Sequence, residues 1–105
     1  STMEFAGYDD TMNRSRLSIL TDAAKHYLRD PLAEPVQEEW FGWRPMTFDG
    51  LPVIDRSPIM GNVLIAAGHN MLGLSMATAT GKLVSELLSG ATPHIDAAPY
   101  GLKRF

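Results

Sequence analysis

The segment from Val63 to Gly81 constrains this chain more than any other. Val63-Leu64-Ile65-Ala66-Ala67 is a short apolar run that reads as a buried strand. Gly68 and Gly73 then frame a small-residue turn, and a long apolar stretch follows. A strand, a glycine turn and a helix N-terminus together make a general receptor for an electron-rich group. Glycine lets the backbone approach closely, and the unpaired N–H groups of the first helical turn point at whatever sits there. No G-x-G-x-x-G and no Walker sequence occurs, so the chain has no motif with which to cradle a dinucleotide pyrophosphate by itself.

The apolar stretch predicts a helix from about Gly73 to Leu88, stopped by Gly90. Leu72, Leu74, Met76, Ala77, Ala79, Leu83, Val84, Leu87 and Leu88 cover most of its circumference. A helix apolar nearly all round is buried on several sides, and the rest of the chain offers too little to cover it. A missing partner layer follows as an expectation, with self-association of the isolated chain as its remedy. Upstream, residues 2–8 suit a short strand ended by Gly7 and an Asp9-Asp10 turn. Asn13 is placed to cap an amphipathic helix over Arg14 to Leu28, whose stripe is Leu17, Leu20, Ala23, Ala24, Tyr27 and Leu28. Asp30-Pro31 stops it, and Leu32 to Pro35 is a connector. Val36 to Arg44, rich in Trp40, Phe41 and Trp43, reads as a strand that Pro45 ends. Thr47 to Pro52 is a turn centred on Asp49-Gly50, Pro52-Val53-Ile54 a short strand, and Ser57 to Asn62 a loop. The tail from Ala91 to Phe105 has no periodicity. The fold class expected is α/β (α+β): a short mixed sheet with two main helices, in the order strand-helix-strand-strand-strand-helix. A chain that begins inside a structural element reads as a fragment of something larger.

Composition narrows the partners. The net charge of −3 gives no electrostatic reason to bind nucleic acid or an anionic membrane. There is no cysteine, hence no disulfide framework, thiolate metal site or thiol nucleophile. No apolar run reaches membrane-spanning length and no signal peptide opens the sequence. A cytoplasmic protein, or one lying against the inner face of the membrane, is the expectation.

Three motifs in order carry a resemblance to a known family: Trp40-Phe41-Gly42-Trp43-Arg44-Pro45, then Thr47-x-Asp49-Gly50-Leu51-Pro52-Val53-Ile54, then Ala66-Ala67-Gly68-His69 through Thr80-Gly81. The opening Thr2-Met3-Glu4 and the closing Arg104-Phe105 extend it. The chain resembles the C-terminal part of the FAD-dependent D-amino acid dehydrogenase and glycine oxidase family. The resemblance implies that residues 1–60 belong to a substrate-binding domain and residues 61–105 supply the terminal strand and helix of the FAD-binding domain. The N-terminal flavin-binding half would be a missing partner, and the fragment alone would be inactive. Gly68, His69, Leu72, Gly73 and Leu74 are the implied flavin contacts, with the helix N-terminus facing the pyrimidine edge of the ring. Arg44 matches the arginine that pairs with the carboxylate of the amino-acid substrate in this family. The implied reaction removes a hydride from the carbon bearing the amine of a D-amino acid or glycine. Three positions depart from the pattern: Met71 stands where glycine oxidase-like members can carry a second arginine, Thr78 replaces a common proline, and Asp55 sits where glycine is frequent.

Plainer readings stand beside these. Arg44 can anchor a surface carboxylate. His69 reads first as a structural histidine bonding a nearby backbone carbonyl and only second as a general base, so no catalytic residue is assigned. Asp49-Gly50 reads as a plain turn, Trp40 and Trp43 as core, and Met60, Met71 and Met76 as gap fillers. Asp9, Asp10, His94 and Asp96 have no metal-site spacing, and no metal is expected. The competing functions are a non-catalytic binding module that keeps the fold without the cofactor, and a small hydrolase using His69 with Ser75 or Ser57, for which no G-x-S-x-G elbow exists.

Overall fold

Asn13 starts the first helix as its side chain predicts. It is extended (φ −84°, ψ 91°), and its side-chain oxygen accepts from the Arg16 backbone N–H at 3.3 Å. The helix, α1, spans Arg14–Lys25 and is shorter than the apolar stripe implied. Tyr27 and Leu28 donate their backbone N–H groups to Ala24 in a closing turn instead of continuing it. The computed structural model describes residues 2–29 and 35–105. The stop expected at Asp30-Pro31 and most of the Leu32 to Pro35 connector therefore lie outside the described residues.

The chain divides into two compact units, Ser1–Trp43 and Arg44–Phe105. In the first, α1 is held by surface contacts. Asn13 Nδ2 donates to Glu4 at 3.3 Å, and Arg14 meets Glu39 at 2.8 Å. Exposed pairs of this kind contribute little. No α1 residue is fully buried, which corrects the expectation of one buried face: Leu17, Leu20 and Ala24 are half-covered and Tyr27 is open. The strands expected at residues 2–8 and 36–44 are not formed, because no described residue pairs with either in a ladder. The turn at Gly7 is present, with Asp9 N–H bonded to Ala6 O. Tyr8, Phe41 and Trp43 stack edge to face and stay exposed, so the tryptophans are not core.

The second unit is built on a hairpin. Strands β1 (Val53–Arg56) and β2 (Leu64–Ala67) pair antiparallel, with Val53 opposite Ala67 and Arg56 opposite Leu64. The sheet is therefore antiparallel and two-stranded, not mixed. The loop between them is folded on itself: Ser57 N–H donates to Val63 O, and Ser57 Oγ accepts from the Ile59 and Met60 N–H groups. Helix α2 runs Gly73–Ser89 and ends on Gly90 in the left-handed region (φ 72°), as expected for a glycine stop. It packs against β2, and Ile54 and Leu83 are the buried apolar side chains of this small core. β2 is half-covered at Leu64 and Ile65 and exposed at Ala66 and Ala67, so the strand expected to be buried is open on both faces at its second half. α2 likewise buries Leu83, half-covers Val84 and Leu87, and leaves Leu72, Leu74 and Leu88 exposed.

The aperiodic tail is tied down by polar bonds instead of periodic apolar ones. It forms 3-10 turns at Ala98–Tyr100 and Leu102–Arg104. Asp55 accepts the Leu102 N–H at 2.8 Å, and Arg56 reaches the Leu87 carbonyl near the end of α2 at 2.7 Å. Glu86 takes both the backbone N–H and the ring Nδ1 of His94, at 2.9 and 2.8 Å. The α/β class with two helices thus stands, on fewer strands than the sequence pattern implied.

Candidate functional site

β2 delivers the chain into a turn whose conformation depends on two residues. Gly68 is buried with φ +80°, and a Cβ there would lie 2.8 Å from Thr47 Cγ2. Glycine is demanded at this position by backbone and by space at once. Asn70 is the described non-glycine residue with positive φ, at 54°, a region that asparagine tolerates better than most side chains. Between them, His69 pairs across to Met46 in an isolated bridge, and Asn70 N–H donates to Pro45 O at 3.1 Å. These backbone bonds lay the Arg44-Pro45-Met46 segment alongside the His69-Asn70 turn. Arg44 is half-buried at the start of that segment. The backbone bonds of Pro45, Met46, His69 and Asn70 thus bring the segment that begins with Arg44 beside the turn that leads into α2.

His69 Nε2 lies 2.9 Å from Thr80 Oγ1, partly buried. The reading of a histidine bonded to a nearby backbone carbonyl is corrected in its partner, which is a side-chain hydroxyl. The bond joins the turn to the second turn of α2. Leu72 caps the helix with its backbone alone: its N–H donates to His69 O at 2.9 Å, and no side chain caps the end. The first i to i−4 bond runs from Met76 N–H to Leu72 O, so the N–H groups of Gly73, Leu74 and Ser75 precede the helical ladder. Leu72 is 52% and Leu74 93% exposed, so what these two residues offer a ligand is backbone, not side chain. A Cβ on Gly73 would meet only His69 Cβ at an ordinary 3.6 Å, so glycine is not sterically required there. Asn70 Oδ1 is buried and pairs with no group among the described residues. Leaving such an oxygen unsatisfied costs roughly 1–3 kcal/mol, and an N–H or O–H donor, from water or from a bound group, would satisfy it.

The turn that backs Gly68 is more than a plain turn. Thr47 Oγ1 donates to Leu51 O at 2.7 Å, Asp49 accepts the Leu51 N–H at 3.1 Å, and Gly50 has φ +75°. Arg104 then grips it from the tail, with Nε 2.6 Å from Asp49 Oδ2 and Nη2 2.6 Å from Leu51 O. The Arg104 guanidinium holds the Asp49 carboxyl below the usual carboxylate range, its hydrogen bond outweighing the opposing effect of burial. Thr47, Asn70, Thr80 and Arg104 were missed as site residues. Asn70 carried a local signal, an asparagine between a strand and a helix; Thr80 and Arg104 reach their partners across 11 and 55 residues, beyond any spacing rule.

The arrangement offers a helix N-terminus without a side-chain cap and a neighbouring arginine, which suit an electron-rich group or an anion, and beside them an amide oxygen that can accept only from an N–H or O–H donor. The sequence profile of the FAD dependent oxidoreductase family matches residues 1–87. The chain is 35% identical over 104 residues to a D-amino acid dehydrogenase of Granulibacter bethesdensis, covering 99% of this chain and 25% of that protein. It is 38% identical over 100 residues to a glycine oxidase of Pseudomonas putida, covering 95% and 27%. A solved glycine oxidase from Geobacillus kaustophilus superposes with a TM-score of 0.63 at 31% identity, over 93% of this chain and 26% of that one. The chain spans about a quarter of the length of these relatives. With the family profile over most of its length and a like-folded relative, the chain belongs to the FAD dependent oxidoreductase family.

Proposed function

We propose that this chain is the C-terminal part of an FAD-dependent enzyme that oxidises the CH–NH2 group of a D-amino acid or glycine. Residues 1–60 would contribute to the substrate domain and residues 61–105 would close the flavin domain. The observation that carries the reading is the juxtaposition of Arg44-Pro45-Met46 with the His69-Asn70 turn at the open N-terminus of α2. The residues fit the group: a buried amide oxygen awaits a partner, Gly68 admits no side chain, and three first-turn N–H groups lie outside the helical ladder. Gly68, His69, Leu72, Gly73 and Leu74 would hold the ring through backbone and shape. When bound, FAD supplies the acceptance of a hydride. The first-turn N–H groups and the helix dipole would favour negative charge at the ring edge they face. Arg44 would bind the substrate carboxylate, its planar fork matching the two oxygens. His69, engaged with Thr80, would orient the turn.

The test uses the protein of family length that carries this chain. It should purify with a flavin absorbance, and the flavin should bleach anaerobically on addition of a D-amino acid or glycine. A protein of that length without flavin would instead favour a binding module that keeps the fold alone. Within it, Arg44→Lys should lower kcat/KM by the factor that corresponds to about 1.5–3 kcal/mol, the value of a hydrogen bond to a charged group, while flavin content stays constant. An unchanged kcat/KM removes Arg44 as the carboxylate anchor. The 105-residue chain alone should not bind FAD tightly, because the ADP half needs a glycine-rich βαβ unit that its sequence does not contain. Submicromolar binding in a direct titration would overturn this.

A further inference from the structure

We propose that Arg104, at the far end of the chain, is a positioning residue for the ligand turn at Gly68. The proposal rests on the flavin reading above for its functional meaning, and on geometry for its mechanics. The Arg104 side chain is 15% exposed and satisfies four acceptor contacts: Asp49 Oδ2 at 2.6 Å, Asp49 Oδ1 at 3.5 Å, Leu51 O at 2.6 Å and Gly101 O at 3.1 Å. Its guanidinium also lies 4.4 Å from the centre of the Phe105 ring, which meets Phe48 edge to face at 5.2 Å. The final two residues therefore grip the 47–51 turn at Phe48, Asp49 and Leu51. Two of these bonds converge on one atom, since Leu51 O accepts from Arg104 and from Thr47 Oγ1. Thr47 is in turn the residue whose methyl fills the space beside Gly68. Arg104 fixes the Leu51 carbonyl, that carbonyl fixes the Thr47 hydroxyl, and the Thr47 methyl backs the turn leading to the N-terminus of α2. A lysine would keep the charge but not the fork that reaches carboxylate and carbonyl together.

The experiment compares Arg104→Ala, Arg104→Lys and Asp49→Asn with a Lys103→Ala control, all in the protein of family length. Amide hydrogen exchange is read over residues 68–75, and FAD dissociation and the flavin absorption bands are read on the same samples. Arg104→Ala should speed exchange at 68–75 and weaken FAD retention on the order of tenfold, as expected for loss of a charge-assisted bond. The flavin bands should shift, Arg104→Lys should restore part of each effect, and the control should match the parent. A role in general stability alone would lower the melting temperature without moving the bands or being selective for 68–75. If Arg104→Ala does not fold, Arg104→Lys and Asp49→Asn carry the same expectation in milder form. Exchange at 68–75 that stays at the parent rate while only the last residues loosen would overturn the clamp. If the parent itself takes up no flavin, the functional reading falls while exchange still decides the mechanics.

Discussion

At the scale of residues, Gly68 shows two separable constraints meeting at one position. Its φ of +80° disfavours any side chain, and its neighbour Thr47 Cγ2 leaves no room for one. The left-handed backbone costs an L-residue roughly 1–2 kcal/mol, and crowding of a packed site adds about 1–3 kcal/mol. Gly68→Ala should therefore lower the unfolding free energy by the sum of both, about 2–5 kcal/mol, read as a lower denaturant midpoint at unchanged slope. Thr47→Ser keeps the hydroxyl that holds Leu51 O and removes the methyl, so adding it to Gly68→Ala should return the crowding part and leave the backbone part. A double variant no more stable than Gly68→Ala would show that the contact with Thr47 is not what excludes a side chain. The motif in the sequence marked Gly68 as a turn residue. Its dependence on Thr47 lay 21 positions upstream, where only the folded hairpin makes the two neighbours.

At the scale of elements, what was legible in the sequence is what is local. Asn13 caps α1 and Gly90 ends α2 because capping uses bonds within a few residues. β1 and β2 were readable as apolar runs bounded by turns. The strands expected at residues 2–8 and 36–44 failed for the converse reason. Alternation predicts which side chains share a face, whereas a strand exists only with a partner to share its ladder, and none is among the described residues. The tail was illegible because its anchors are single polar bonds. Glu86 is the clearest case: an ionised carboxylate only accepts, so His94 must present its Nδ1 proton along with its backbone N–H. These bonds, with Lys82 3.9 Å away, hold Glu86 below the ordinary glutamate range, the His94 side chain contributing most. A lowered folded value gives stability that is fully present above the unfolded carboxylate range and is lost as the pH falls through the folded value. The parent should accordingly exceed Glu86→Gln in melting temperature from neutral pH down to the ordinary carboxylate range, and the gap should close in stronger acid. A gap that stays constant across that range would show that the charge of Glu86 contributes nothing to holding the tail.

At the scale of the whole molecule, covered and uncovered surface are out of proportion for a chain that stands alone. Among the described residues the buried apolar core is Ile54 and Leu83, with Pro52 beside Ile54 in sequence, while Leu74, Trp40, Trp43, Phe5, Tyr27 and Ile59 are each more than half exposed. Scattered apolar side chains are normal on a surface, but aromatic clusters and an open helix face mark surfaces that something else covers. The relatives supply the scale: this chain matches about a quarter of their length. The same imbalance predicts behaviour in isolation. Unit 2 has a hairpin, a packed helix and a strapped tail, whereas the described residues of unit 1 form one helix, itself without a buried residue. The 105-residue chain by itself should therefore bind a hydrophobic dye and self-associate with rising concentration, and its amides at 14–25 should exchange faster than those of β1, β2 and the Leu83 turn of α2. Joined to the rest of a family-length protein, both the dye binding and the exchange at 14–25 should fall. Light scattering that reports a monomer at all concentrations, with no dye bound and equal protection in the two units, would mean that so small a core suffices and that the exposed face of α2 needs no cover.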